Sequence, residues 1–166
     1  MAWRGSIEIK DRIFGTLVYC FAIFDAIFFS TFLVNQFPIF NFFLLPGVPI
    51  AVVYRFSVQL FGMFGSFLIF MILFLGIVRN DRISHFVRYN TMQTILIGIL
   101  LSLIQLVMQW FFVPALGSNS LFIETLYNVV FLGSIAASYY SMIQSVLGRY
   151  AEIPTISEAA YSQVRY

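Results

Sequence analysis

Residues 77–93 read IVRNDRISHFVRYNTMQ, a polar island between two long apolar runs. Arg79, Asp81, Arg82, His85 and Arg88 fall within ten residues of one another in a chain where only 10% of residues are charged. Charge of this density between apolar runs marks a loop at a membrane surface, with crossings on either side. The rest of the chain reads as membrane folded around that loop.

Composition supports the same class. The chain is 61% hydrophobic and 19% aromatic, whereas a soluble domain has about 45–50% apolar and about 25% charged residues. An all-α integral membrane protein with four transmembrane helices fits. The net charge of +2 is too small to suggest nucleic-acid binding. A single cysteine, Cys20, excludes an internal disulfide and a cysteine metal cluster. It reads as a small apolar residue of a helix.

Working outward from the island, residues 60–78 carry no charge and form the cleanest span. After Arg79, either Asn80 or Asp81 is placed to cap a new helix, and Ile83, Phe86 and Val87 give it an apolar face. From Arg82 to Phe112 such a helix would be about 46 Å long, so its first turns should lie at the headgroups, with the span itself at 90–112. At 100° per residue, Asn90, Thr94, Gly98, Ser102, Gln105 and Gln109 share a sector about 120° wide. That stripe is either glue between helices or the wall of a hydrated path or docking groove.

The first span covers 13–34 and contains Asp25. A central Asp costs roughly 2.5–3.5 kcal/mol on insertion, which the surrounding Phe, Ile, Leu and Val offset. Its carboxyl either bonds a polar side chain of a neighbouring helix or lies near the outer interface, or else it makes a proton or substrate contact. Between this span and the next, Pro38, Pro46 and Pro49 with Gly47 argue against a continuous helix. Unpaired backbone cannot face lipid, so a Pro-rich interfacial or re-entrant element between helices 1 and 2 is expected rather than a fifth span. The fourth span is 121–147. It starts near Glu124, where the helix dipole favours an anion, and carries a ridge of Gly133, Ala137, Ser141 and Ser145 that predicts close contact with a neighbour. Residues 1–12 read as an interfacial N-terminus with Trp3 at the headgroups. In the tail, 148–166, Thr155 and Glu158 have the spacing of a capping box.

Charge sets the orientation. With four spans, eight of the nine Lys and Arg lie on one side, Arg4, Lys10 and Arg12 with the island and the tail, and only Arg55 on the other. Both termini and the island then belong on the positive-inside side. Arg79, Arg82 and Arg88 serve there as topology anchors and headgroup contacts. With His85 they also form a candidate docking loop for a partner. The short N-terminus has no Arg/Ser-rich leader, which predicts a product used as translated, from a bacterial or organelle-encoded gene.

VRNDRISHFVRYNTMQTILI after the second span, MAWRGS and DRIFG at the start, FPIF and PGVP after the first span, and the tail QSVLGRYAEIPTISEAA together resemble the twenty-kilodalton Tic family. These are subunits of the translocon at the inner envelope membrane of chloroplasts, with cyanobacterial relatives. The resemblance covers nearly the whole chain in order. It implies four transmembrane helices with both termini in the stroma. It also implies a part in moving precursor polypeptides together with other membrane translocon subunits.

Catalytic patterns are lacking. His85 is the only histidine, no H-E-x-x-H, G-x-S-x-G or phosphate-cradling glycine loop occurs, and the acids are scattered. No enzyme, cofactor or metal is expected. The function expected first is a membrane subunit of a protein-translocation machinery, with Asp25, Asn90, Thr94, Ser102, Gln105 and Gln109 as path or helix-contact residues. Its partners are the lipid bilayer, other translocon subunits and precursor polypeptides in transit, with no nucleic acid. It would sit in the plastid inner envelope or in a cyanobacterial cytoplasmic or thylakoid membrane. The alternative is a small accessory or assembly subunit of a membrane complex. A solute or ion transporter comes last, since inverted repeats and paired broken helices are lacking.

Overall fold

The computed structural model describes residues 7–118 and 120–164; Trp3, Arg4 and Arg165 lie outside them. Four helices among the described residues are long and apolar enough to cross a membrane: α1 (Ile9–Gln36), α2 (Pro38–Val78), α3 (His85–Leu116) and α4 (Leu121–Val146). A short tail helix, α5 (Ile156–Gln163), follows.

Helix α1 is the hub. Its Tyr19, Ala22, Ile23, Ala26 and Phe29 are fully buried, because α4 packs along one side of it and α3 along another. Gly15 makes the α3 approach possible: a Cβ there would stand 2.7 Å from the Asn90 amide nitrogen and 2.8 Å from the Phe86 ring. On α4 the buried small residues are Ser134, Ser138, Ser141 and Ser145. Two members of the predicted ridge, Ser141 and Ser145, are therefore in the contact, whereas Gly133 meets nothing within 4 Å.

Helix α2 is the least buried of the four. Its most apolar window is 17% buried, the smallest share of the four, against 22% for α3, 33% for α4 and 50% for α1. The interruption predicted from the prolines takes the form of a change in helix type. Pro38–Gly47 is a 3-10 helix packed on α1, and Val48–Phe61 continues as α-helix with Pro49 in its first turn. Proline is tolerated at such positions because its missing N–H has no intrahelical acceptor to lose there. The sharp break comes later, at Gly62, whose φ of 58° is open to glycine. Beyond it the chain folds back so closely that a Cβ on Gly65 would lie 2.6 Å from the Ser57 carbonyl carbon. The two limbs, Val48–Phe61 and Gly65–Met71, pack on each other, and a π-helical stretch, Ile72–Val78, returns against α3.

Helix α3 begins at Ser84, not at Asn80 or Asp81 as expected. The Ser84 hydroxyl accepts from the Val87 backbone N–H at 3.4 Å and donates to Asp11 Oδ1 at 2.9 Å. A cap that also reaches α1 fixes the helix start through a tertiary contact that spacing alone cannot show. The far end of α3 runs through Pro114 to Leu116, and Ser120 caps α4. In the tail, α5 forms where expected but without the predicted cap: Thr155 has φ 68° and makes no capping bond.

Candidate functional site

Two polar regions lie one above the other on α3. The lower one is closed. The Tyr19 hydroxyl shares its proton between Asn90 Oδ1 at 2.9 Å and Gln93 Oε1 at 2.5 Å. The Gln93 amide donates to the Ala151 carbonyl at 3.2 Å and to Ser157 Oγ at 2.9 Å. Tyr89 also donates to Ala151, at 2.7 Å, and Ser145 to Asn90 at 3.3 Å. Each of these groups would be costly in an apolar interior without a partner, and each has one. The tail is thereby tied to the membrane domain, with Ala160 and Val164 buried behind it and Tyr161 packed on Tyr89.

One turn further along α3 the lining changes. A cavity of about 1140 Å³ separates α1 and α3 from the two limbs of α2. Asp25, Tyr54, Arg55, Gln59, Thr94 and Ser102 supply its polar wall, and Phe21, Phe67, Phe70 and Leu103 much of the rest. Asp25 fits against α3 because residue 98 is glycine: a Cβ at that position would lie 2.6 Å from Asp25 Oδ2. Among the described residues its carboxyl has no hydrogen-bond or ion-pair partner. Thr94 is 3% exposed, and its Oγ1 likewise has none.

The predicted stripe therefore divides. Asn90 belongs to the closed knot, and Thr94, Gly98 and Ser102 to the cavity. Gln109 lines a smaller groove of about 320 Å³ with Phe28 and Tyr127; Gln105 lines neither. Gln93 and Tyr19 were missed. Gln93 lies about 60° outside the predicted sector. For Tyr19 a signal existed, since a tyrosine hydroxyl inside a span needs a partner.

The docking loop divides as well. Arg88 is buried, with its Nε donating to the Val78 carbonyl at 2.9 Å and its guanidinium 3.0 Å from Asp81. His85 Nδ1 lies 3.1 Å from the Tyr150 hydroxyl. Arg79 sits 5.2 Å over the Phe74 ring, and it and Arg82 are the exposed members. The start of α1, the start of α3 and the end of α4 meet at this end of the bundle. Asp11 touches Ser84, and a Cβ on Gly148 would lie 2.8 Å from Arg12 Nε. At the opposite end Gln36 donates to the Glu124 carboxylate. No group of three or more metal-ligating side chains is found among the described residues.

The family described as "Chloroplast import apparatus Tic20-like" matches residues 8–160. The chain belongs to that family. A Tic20 family protein of Synechocystis sp. is 49% identical over the full length of both chains. The protein TIC 20-v, chloroplastic, of Arabidopsis thaliana is 30% identical over 96% of this chain and 73% of its own, and TIC 20-II, chloroplastic, is 29% identical over 93% and 72%. This Tic20-like protein is thus a membrane protein related to chloroplast import components, with relatives in a cyanobacterium and in plastids. Both the knot and the cavity lie inside the matched region.

Proposed function

We propose that this protein is a membrane subunit of a preprotein-translocation machinery of the chloroplast inner envelope type. It works with other membrane translocon subunits and takes precursor polypeptides in transit. The observation that carries this is the cavity between α1, α3 and the arm formed by α2. It holds about 1140 Å³, it is lined by both apolar and polar groups, and one of its walls is the element with the smallest buried share. An extended polypeptide with mixed side chains needs a surface of that kind.

The termini and the 77–93 island belong on the stromal or cytoplasmic side. The meeting of Lys10, Arg12, Arg79, Arg82, Arg88 and Arg149 at one end of the bundle supports this through the positive-inside rule. The membrane is the plastid inner envelope or a cyanobacterial cytoplasmic or thylakoid membrane. Pro38–Gly47 acts as a re-entrant or interfacial lead-in to the second crossing, supported by its packing on α1 and by the break at Gly62.

Photo-crosslinkers at Asp25, Ser102 and Gln105 test the conducting role. A precursor arrested in transit should be captured at Asp25 and Ser102 more than at Gln105, which does not line the cavity. Capture of lipid and fixed neighbours alone would remove the conducting role. It would favour the second reading, an accessory or assembly subunit, for which the exposed apolar surface of α2 speaks: Phe56, Phe61, Met63 and Phe64 are more than half exposed.

A further inference from the structure

In the knot Tyr19, Asn90 and Gln93 each find partners, whereas beside the cavity neither Thr94 Oγ1 nor the Asp25 carboxyl has one among the described residues. Asp25 and Thr94 border the same cavity from two different helices. Asp25 reaches it through a notch made by Gly98, and Thr94 Oγ1 is buried without a hydrogen-bond partner. A carboxylate accepts only, a hydroxyl accepts as well as donates, and neither stays unpaired in an apolar wall without a cost in free energy. The only cation that lines the cavity, among the described residues, is Arg55 on the first limb of α2, and it makes no ion pair with Asp25.

We propose that Asp25 and Thr94 form a subsite for a cationic side chain, a lysine ammonium or an arginine guanidinium, of the polypeptide that enters this cavity. This assignment rests on the translocation reading above and specifies what the cavity recognises. The charge of Asp25 attracts the cation and the Thr94 hydroxyl accepts a second donor. The apolar groups around them, Phe21, Phe67 and Leu103, take the methylene stem.

The full chain, reconstituted in liposomes with a photo-crosslinker at Ser102, can be offered two synthetic peptides. One is an apolar peptide with a single lysine, and the other is the same peptide with norleucine in its place. The lysine peptide should be captured about tenfold more, the factor equivalent to about 1.4 kcal/mol and close to the lower end of the about 1.5–3 kcal/mol of a hydrogen bond to a charged group. Asp25→Asn, which keeps the shape, should equalise the two peptides. Asp25→Glu should retain part of the preference, and Thr94→Val should reduce it without abolishing capture. Equal capture of both peptides by the unaltered chain would overturn the subsite while leaving the conducting role standing. Capture of lipid alone would overturn both. A preference that survives in Asp25→Asn would overturn the assignment to Asp25. So would an Asp25→Asn effect that disappears in an Arg55→Gln background, since Arg55 would then be the true partner of Asp25.

Discussion

The closed knot around Gln93 and the open cavity beside Asp25 share one helix, and they differ in what forms the remaining wall. Below, the tail comes back over α3 and delivers the Ala151 carbonyl and the Ser157 hydroxyl to Gln93. Above, the corresponding wall is the two limbs of α2, which pack on each other and rejoin α3 through Ile72–Val78, leaving the cavity between. Polarity inside the bundle therefore does not have one meaning. Where the backbone of another segment arrives, a polar side chain locks two elements together; where it does not, the same kind of residue faces a space that a guest can fill.

Substitutions of comparable size should give opposite results in the two regions. Gln93→Leu removes bonds to Tyr19, Ala151 and Ser157, each of which keeps another partner, so it should destabilise by about 2–4 kcal/mol at roughly 0.6–2 kcal/mol per bond inside a membrane. Thermal unfolding in detergent measures the loss, and limited proteolysis should show the tail after Gly148 becoming cleavable. A tail that stays protected would mean that the knot is not what holds it.

Gly15→Ala should come next, at about 1–3 kcal/mol, because its new methyl meets the Phe86 ring and the Asn90 amide in a packed contact. Gly98→Ala is its counterpart at the cavity. There the methyl meets only the end of the Asp25 side chain, which has space to swing aside, so the change in stability should stay below about 1 kcal/mol. Equal effects of the two alanines on unfolding would show that the cavity is as tightly packed as the knot.

Asp25→Asn should leave stability within about 0.5 kcal/mol of the original or raise it, since no partner in the chain is lost and the burden of an intramembrane carboxylate is relieved. A large destabilisation would reveal a partner for Asp25 within the protein. The smallest effect belongs to Arg82→Gln at the exposed surface, with no measurable change in unfolding. Arg88→Gln, which strands the Val78 carbonyl, should be clearly destabilising in the same assay.

Much of this was legible in residues 77–93. The charges of Arg79, Arg82 and Arg88 between apolar runs located a loop with a helix after it, and the apolar runs themselves pointed to four helices long and apolar enough to cross a membrane. Legibility failed where one segment answers another. Arg88 reads as an exposed anchor in the sequence and is buried in the fold, because the Val78 carbonyl lies within its reach. His85 reads as part of a docking loop, and in the fold its Nδ1 also lies 3.1 Å from the Tyr150 hydroxyl, a contact no spacing shows. The start of α3 was misplaced because Asp81 and Ser84 are both competent caps, and contact with Asp11 selects Ser84. In α2, three prolines predicted the interruption, yet the sharp break fell at Gly62, where the chain must turn back on Ser57.

By itself the sequence determined what depends on near neighbours and on solvent: apolar runs long enough to cross a bilayer, a polar stripe with helical period, and an uneven distribution of positive charge. Only the tertiary structure decided which members of that stripe are satisfied. The partners of Tyr19 lie 71 and 74 residues away, and the tail serine that meets Gln93 lies 64 residues away. Helical periodicity fixes the direction in which a side chain points, but not the segment that packs opposite. That separates the locked glutamine from the waiting aspartate.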